Sequence, residues 1–192
     1  SFASDLNQVE GLWLDYGKDN YAGVTWANIP DADGRKLFIG WMSNWEYANK
    51  VPTKAWRSAM TIPRELKLIT VDGHYRIVSE PVIELDKYIS KTIKKELLTI
   101  DKTTVIVDKG AVDMSKLDIR FTMNGLKDDN YDFILSNKAN NAIHFGINKK
   151  DKYFYIDRKN ASQTSFSDEF ASKISKAPIT SDFNSILSNT HS

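Results

Sequence analysis

Two tryptophans four residues apart, Trp41 and Trp45, with Asn44 between them, are the residues of this chain best suited to holding a ligand. An indole presents a broad flat face to the apolar side of a ligand, and its N–H donates to a hydroxyl. Asn44 offers a donor and an acceptor to the same kind of ligand. Each has a structural alternative. Tryptophans fill cores, and an asparagine between strands caps a turn. Residues four apart on a regular strand share a face, whereas Ser43-Asn44 turns the chain if the strand ends first. Asp19 and Tyr21 lie upstream in Gly17-Lys18-Asp19-Asn20-Tyr21-Ala22, where Asp19 also reads as a strand-end cap. Glu46 sits beside the tryptophans, and a lone acid in that position invites a catalytic assignment.

The elements that must position these residues read as β. Trp13, Trp26, Trp41, Trp45 and Trp56 all fall in the first third, and no tryptophan follows. This shift in composition marks two units, divided near residue 84. Short apolar runs at 12–14, 21–26 and 37–42 are bounded by Gly, Pro, Asn and Asp. Asp31-Ala32-Asp33-Gly34 is a turn signal, and residues 57–62 and 65–70 alternate on either side of Pro63. Asp72-Gly73 predicts a tight hairpin joining 67–70 to 75–78. In the second unit, 105–107, 117–123, 131–135, 142–147 and 153–156 read as strands. Residues 86–98 read as a linker followed by a strand, and the Ser-rich stretch 160–175 as loop. The expected architecture is all-β, with two antiparallel modules.

Composition excludes several functions. The formal net charge is +1, so there is no basic footprint for nucleic acid or an anionic membrane surface. No apolar run approaches the roughly 20 residues of a membrane span. There is no cysteine, which removes disulfides and thiolate metal sites, and His74, His144 and His191 are too scattered to suggest a metal cluster. No cofactor is expected.

Several motifs then agree in order and spacing. They are Asp15-Tyr16-Gly17-Lys18-Asp19-Asn20-Tyr21-Ala22, Ile39-Gly40-Trp41-Met42-Ser43-Asn44-Trp45-Glu46-Tyr47-Ala48, Val51-Pro52-Thr53, Trp56-Arg57-Ser58 and Pro63-Arg64-Glu65-Leu66. Together they resemble the late part of the catalytic domain of family 32 glycoside hydrolases, the invertases, levanases and inulinases. Asn20 departs from the family, in which many members carry an aromatic residue at that position. Phe154-Tyr155-Ile156-Asp157-Arg158-Lys159-Asn160, followed by Ala177-Pro178, is similar to the family's C-terminal β-sandwich. The resemblance implies that residues 1–83 carry the last blade of a five-bladed propeller, with residues 1–14 on an outer blade edge. It implies that 84–192 form an incomplete antiparallel β-sandwich.

The same resemblance implies retaining hydrolysis of fructosyl bonds in sucrose, levan or inulin by a nucleophile and a protonated acid. The family's Trp-Met-Asn-Asp-Pro-Asn-Gly, Arg-Asp-Pro and Glu-Cys strings do not occur here, so no catalytic residue is assigned and the chain alone is expected to be inactive. The family's acid is not at Glu46. The site residues implied, for fructose-containing saccharides, are Trp45 before Trp41, with Asn44, Asp19 and Tyr21, Asp19 orienting the pocket's groups from behind. Arg57, Arg64 and Glu65 read as a framework at the blade edge, and Asp157-Arg158 as a pair on a sandwich hairpin. A chain that is one blade and part of a sandwich is expected to self-associate or to pair with the missing propeller part. Export to the periplasm or medium is what the resemblance favours. The alternatives are a carbohydrate-binding module and a purely structural sandwich.

Overall fold

The computed structural model describes residues 11–71, 73–96, 98–107, 110, 113 and 115–179. The expected blade edge at 1–14 therefore lies mostly outside the described residues, as do Asp72 of the hairpin turn and His191.

The fold is all-β: among the described residues it has two four-stranded antiparallel sheets, one turn of α-helix and two short 3-10 helices, Ala48–Lys50 and Ile83–Tyr88. In the first sheet, β1 (Tyr21–Thr25), β2 (Lys36–Trp41), β3 (Arg64–Val71) and β4 (His74–Pro81) lie in sequence order. In the second, β5 (Asn130–Ser136), β6 (Ala142–Asn148), β7 (Tyr153–Asn160) and β8 (Ser175–Pro178) do the same. A single turn of helix, α1 (Asp168–Ala171), precedes β8. The chain packs as two compact units: one from the segments before residue 83 and after residue 127, which holds both sheets, and one from Ile83–Lys127.

Local chemistry explains the first sheet. The β3–β4 hairpin pairs Val71 with His74 across the expected Asp-Gly turn, and Gly73 has φ +77°, the left-handed region that glycine enters freely. The turn at 31–34 closes by Asp33 and Gly34 donating to the Pro30 carbonyl. Arg35 then forks onto Asp33 at 2.6 Å, which holds that carboxyl below its usual range. β1 bulges between Tyr21 and Val24, where Ala22 has φ +49°. At the bulge Gly23 lies against the Phe38 ring, and a Cβ there would overlap it. Phe38 is thereby buried, with the Arg64 guanidinium 5.2 Å from its centroid.

Asp15 ties three segments together. Its carboxylate accepts from Gly17 N at 2.8 Å, Asn20 Nδ2 at 3.2 Å and Arg64 Nη1 at 3.2 Å. Arg57 donates to the carbonyls of Asn49 and Val51. The two arginines thus act as the expected framework.

Several expected strands do not form. Residues 12–14 pair with nothing in either sheet. Residues 57–62 contribute one bridge, Met60 opposite Trp41, because Ser58 at φ +71° and the imino nitrogen of Pro63 interrupt the extended run. The unit Ile83–Lys127 opens with a 3-10 helix, Ile83–Tyr88, where a linker was expected, and its described residues hold no strand at 105–107, 117–123 or before 98. The alternation of 117–123 lacks a neighbouring strand to take its backbone groups. Arg120 there instead binds Asp118 at 2.7 Å and Asp86 at 3.1 Å. β8 was missed, since it lies at the end of a polar stretch and closes on a proline.

Candidate functional site

The site is built where β2 ends. The strand stops at Trp41, and the chain turns through Ser43-Asn44-Trp45-Glu46. Asn44 makes this turn. Its side-chain oxygen accepts from Glu46 N at 2.9 Å, and its carbonyl accepts from Tyr47 N and Ala48 N. Its side-chain nitrogen donates to the Lys18 carbonyl at 3.0 Å. The Asn44 amide is thus engaged with backbone at both ends.

The turn brings Trp45 back to Trp41, with ring centroids 5.4 Å apart and planes at 63°. Tyr21 pairs with Trp41 across the sheet and stands edge-on to both tryptophans, 6.2 Å from Trp41 and 6.1 Å from Trp45. Edge-to-face contacts of this kind each contribute about 0.5–1.5 kcal/mol, so the three rings hold one another in place. Trp45 nevertheless remains 67% exposed, and Tyr21 is also exposed. The rings form a rigid aromatic corner open to solvent.

Beneath the corner lies a second cluster. Tyr47 is 2% exposed, the most buried large side chain of the described residues. Its hydroxyl donates to the Asp19 carboxylate, which also receives the Arg158 guanidinium. Arg158 Nη2 donates to the Tyr47 hydroxyl oxygen at 2.8 Å, and its Nε donates to the Phe170 carbonyl at 2.7 Å. The guanidinium lies 3.8 Å from the Phe170 centroid, and Tyr47 meets that ring edge-on at 5.3 Å. Lys18 Nζ adds a bond to the Glu169 carbonyl at 2.6 Å. Burial, followed by the bond to Asp19, raises the Tyr47 pKa well above the ordinary tyrosine value.

Of the residues singled out in sequence, Trp41, Trp45 and Tyr21 are therefore brought together. Asn44 builds the turn that presents Trp45. Asp19 sits in the layer below, held by Tyr47 and Arg158. The expected Asp157–Arg158 pair is corrected: Arg158 crosses to Asp19, and Asp157 accepts from Lys159 N at 2.9 Å. Sequence reasoning passed over Tyr47, whose only signal was its position two residues after Trp45.

Chemically, the corner offers flat apolar ring faces, indole N–H groups and a tyrosine hydroxyl. A retaining mechanism needs two carboxyl groups flanking the scissile bond. Asp15 and Asp19 are both engaged with protein donors. Among the described residues, no group of three or more His, Asp or Glu could hold a metal ion.

Comparison with known proteins now bears on this geometry. The glycosyl hydrolases family 32 N-terminal domain matches residues 2–81, and the family 32 C-terminal domain matches residues 84–190. A levanase from Bacillus subtilis (strain 168) is 36% identical over 169 residues, which are 88% of this chain and 25% of that protein. The crystal structure of an exo-inulinase from Aspergillus awamori superposes with a TM-score of 0.70 at 22% identity, covering 90% of this chain and 33% of that one. A β-fructofuranosidase from Schwanniomyces occidentalis, complexed with fructosyl-erythritol, gives a TM-score of 0.56 at 21% identity, covering 93% of this chain and 37% of that one. The chain thus spans a quarter to two fifths of the length of these relatives. With both domains matched in order along nearly its whole length, this chain belongs to glycosyl hydrolase family 32.

Proposed function

We propose that this chain supplies one aromatic wall of the fructosyl site in a fructan- or sucrose-hydrolysing enzyme, and that the catalytic acids lie outside it. The observation that carries this reading is the Tyr21–Trp41–Trp45 corner, rigid yet exposed. A sugar ring stacks on such a face through its C–H groups, with indole N–H groups and the tyrosine hydroxyl available to its hydroxyls. A relative complexed with a fructosyl saccharide supports the choice of sugar. Asp19 acts from below, through Tyr47, by fixing the turn that carries Trp45.

In this reading residues 1–83 are the C-terminal part of a five-bladed propeller domain, and 84–192 belong to its β-sandwich. The complementary propeller part, or a second copy, covers the apolar face of the β3–β4 hairpin. There Leu68 stands opposite Ile77 and Thr70 opposite Tyr75, and Leu68, Ile77 and Tyr75 are all largely exposed. Such a face favours association.

The test is incubation of the purified chain with sucrose, levan and inulin, with released fructose measured. No turnover is expected, while fructo-oligosaccharides bind weakly and Trp45→Ala abolishes the part of that binding that quenches tryptophan fluorescence. Sustained turnover free of contaminating enzyme would overturn the assignment of the acids elsewhere. Undiminished quenching in Trp45→Ala would overturn the aromatic wall.

A further inference from the structure

The second sheet carries a cluster of polar side chains that the aromatic corner does not use. In register, Asp132 lies opposite Gly146 and Gly146 opposite Tyr155, while Ile134 lies opposite His144 and His144 opposite Asp157. Asp132, His144, Tyr155 and Asp157 therefore share one face of β5–β7, the alternate of the one from which Arg158 reaches Asp19.

Asp132 organises the cluster. The Tyr155 hydroxyl donates to its Oδ1 at 2.8 Å, and His144 Nδ1 lies 2.8 Å from its Oδ2. Gly146 makes room for this: a Cβ there would stand 2.9 Å from the Tyr155 hydroxyl and overlap the Tyr131 carbonyl. Burial and the Asp132 bond push the Tyr155 pKa up to about 12, so the hydroxyl keeps its proton and its bond near neutral pH. Around these groups is a hollow of about 360 Å³, completed by Asp157, Lys159 and Asn160.

The chemistry of the lining narrows the ligand. Two carboxylates, Asp132 and Asp157, outnumber the single ammonium of Lys159, which opposes a phosphate or an acidic peptide. No three metal-ligating side chains converge among the described residues. With Nδ1 directed at Asp132, the remaining His144 nitrogen, Nε2, is left for a ligand hydroxyl. The Asp157 carboxylate accepts further hydrogen bonds, while the Lys159 ammonium and the Asn160 amide donate. Acceptors and donors interleaved beside a tyrosine ring match a neutral polyol.

We propose that this hollow is a second saccharide site, which takes one neutral sugar unit of an oligosaccharide. That the sugar is a fructosyl unit rests on the function proposed above. Two weak sites on one chain would hold a polymeric substrate more tightly than either does alone.

The test uses the full 192-residue chain. Trp45→Ala removes the aromatic corner, and this variant is titrated calorimetrically with short levan oligosaccharides and, separately, with cello-oligosaccharides. Saturable binding by Trp45→Ala is expected, weakened about tenfold, or 1.4 kcal/mol, by adding His144→Ala. Lys159→Ala, which leaves the Asp132 network intact on a half-exposed side chain, is expected to weaken it as well. No saturable binding by Trp45→Ala to either sugar, or binding that neither further variant changes, overturns the proposal. Equal binding of both sugar classes that His144→Ala and Lys159→Ala weaken upholds the site and removes its link to fructans.

Discussion

Arg158 on β7 and Asp19, 139 residues earlier, form the ion pair that joins the second sheet to the first. Each side chain is only 21% exposed, and the Tyr47 hydroxyl bonds to both. Arg158→Met leaves a largely buried carboxylate facing an apolar chain, and removing one partner of such a pair costs about 3 kcal/mol. Arg158→Lys keeps the charge but loses the planar fork that reaches Asp19, Tyr47 and the Phe170 carbonyl at once, so it recovers only part of the loss. Urea unfolding followed by tryptophan fluorescence checks both variants. Equal stability of Arg158→Met and the parent chain would contradict the pairing.

Tyr47 makes stability depend on alkaline pH. Its folded pKa is raised above the ordinary value of 10.0, so the folded state retains a proton that the unfolded chain releases. The contribution is complete below about pH 10 and declines as pH rises through the folded pKa. Tyr47→Phe loses the hydroxyl and its bond to Asp19. Unfolding free energies of parent and variant, measured between pH 8 and about 11, should converge as pH rises. A constant gap would show that the hydroxyl does not carry the effect.

Gly23→Ala places a methyl group inside the space of the Phe38 ring. Either the bulge or the ring must shift, at a cost of about 1–3 kcal/mol typical of overpacking. The Gly23→Ala, Phe38→Leu double variant frees that space, and the two changes together should cost less than the sum of each alone. The thermal midpoints of the four proteins in this cycle provide the measurement.

Trp45→Ala separates binding from folding. At 67% exposure the side chain makes two ring contacts and little else, so stability should fall by about 1–3 kcal/mol and leave the chain folded. Trp56→Ala, at 73% exposure and outside the cluster, serves as the matched control. Only Trp45→Ala should remove fluorescence quenching by fructo-oligosaccharides. Loss of quenching in both variants would point away from the corner.

Much of the two sheets was legible because their signals are local. Alternation at 65–70 and the Asp-Gly turn mark the β3–β4 hairpin, and the runs at 131–135, 142–147 and 153–156 mark β5–β7. The aromatic corner was legible in part. The Trp41–Trp45 spacing drew notice, but it is the Asn44 turn, not a shared strand face, that brings the rings together. Arg158 was misassigned because Asp157 is the nearest acid in sequence, while the partner it binds is distant. The run 117–123 has the pattern of a half-buried strand, yet a pattern supplies only one side of a ladder. Tyr47 has no periodicity around it, and its burial depends on Phe170 and Arg158 arriving from the far end of the chain.

Each sheet is a meander in which every strand pairs with its sequence neighbour, so contacts between successive strands build either one. The contact between Asp19 and Arg158 instead closes a loop of 139 residues. Such closure is entropically slow relative to hairpin formation. The expected order of assembly is two sheets first and their ion pair afterwards, which stopped-flow folding of Arg158→Met checks: its folding rate should match that of the parent chain. During that interval Tyr47 lacks the cover of Phe170 and Arg158, while the Asn44 turn and the three ring contacts of the corner, all within residues 18–48, need nothing from the second sheet.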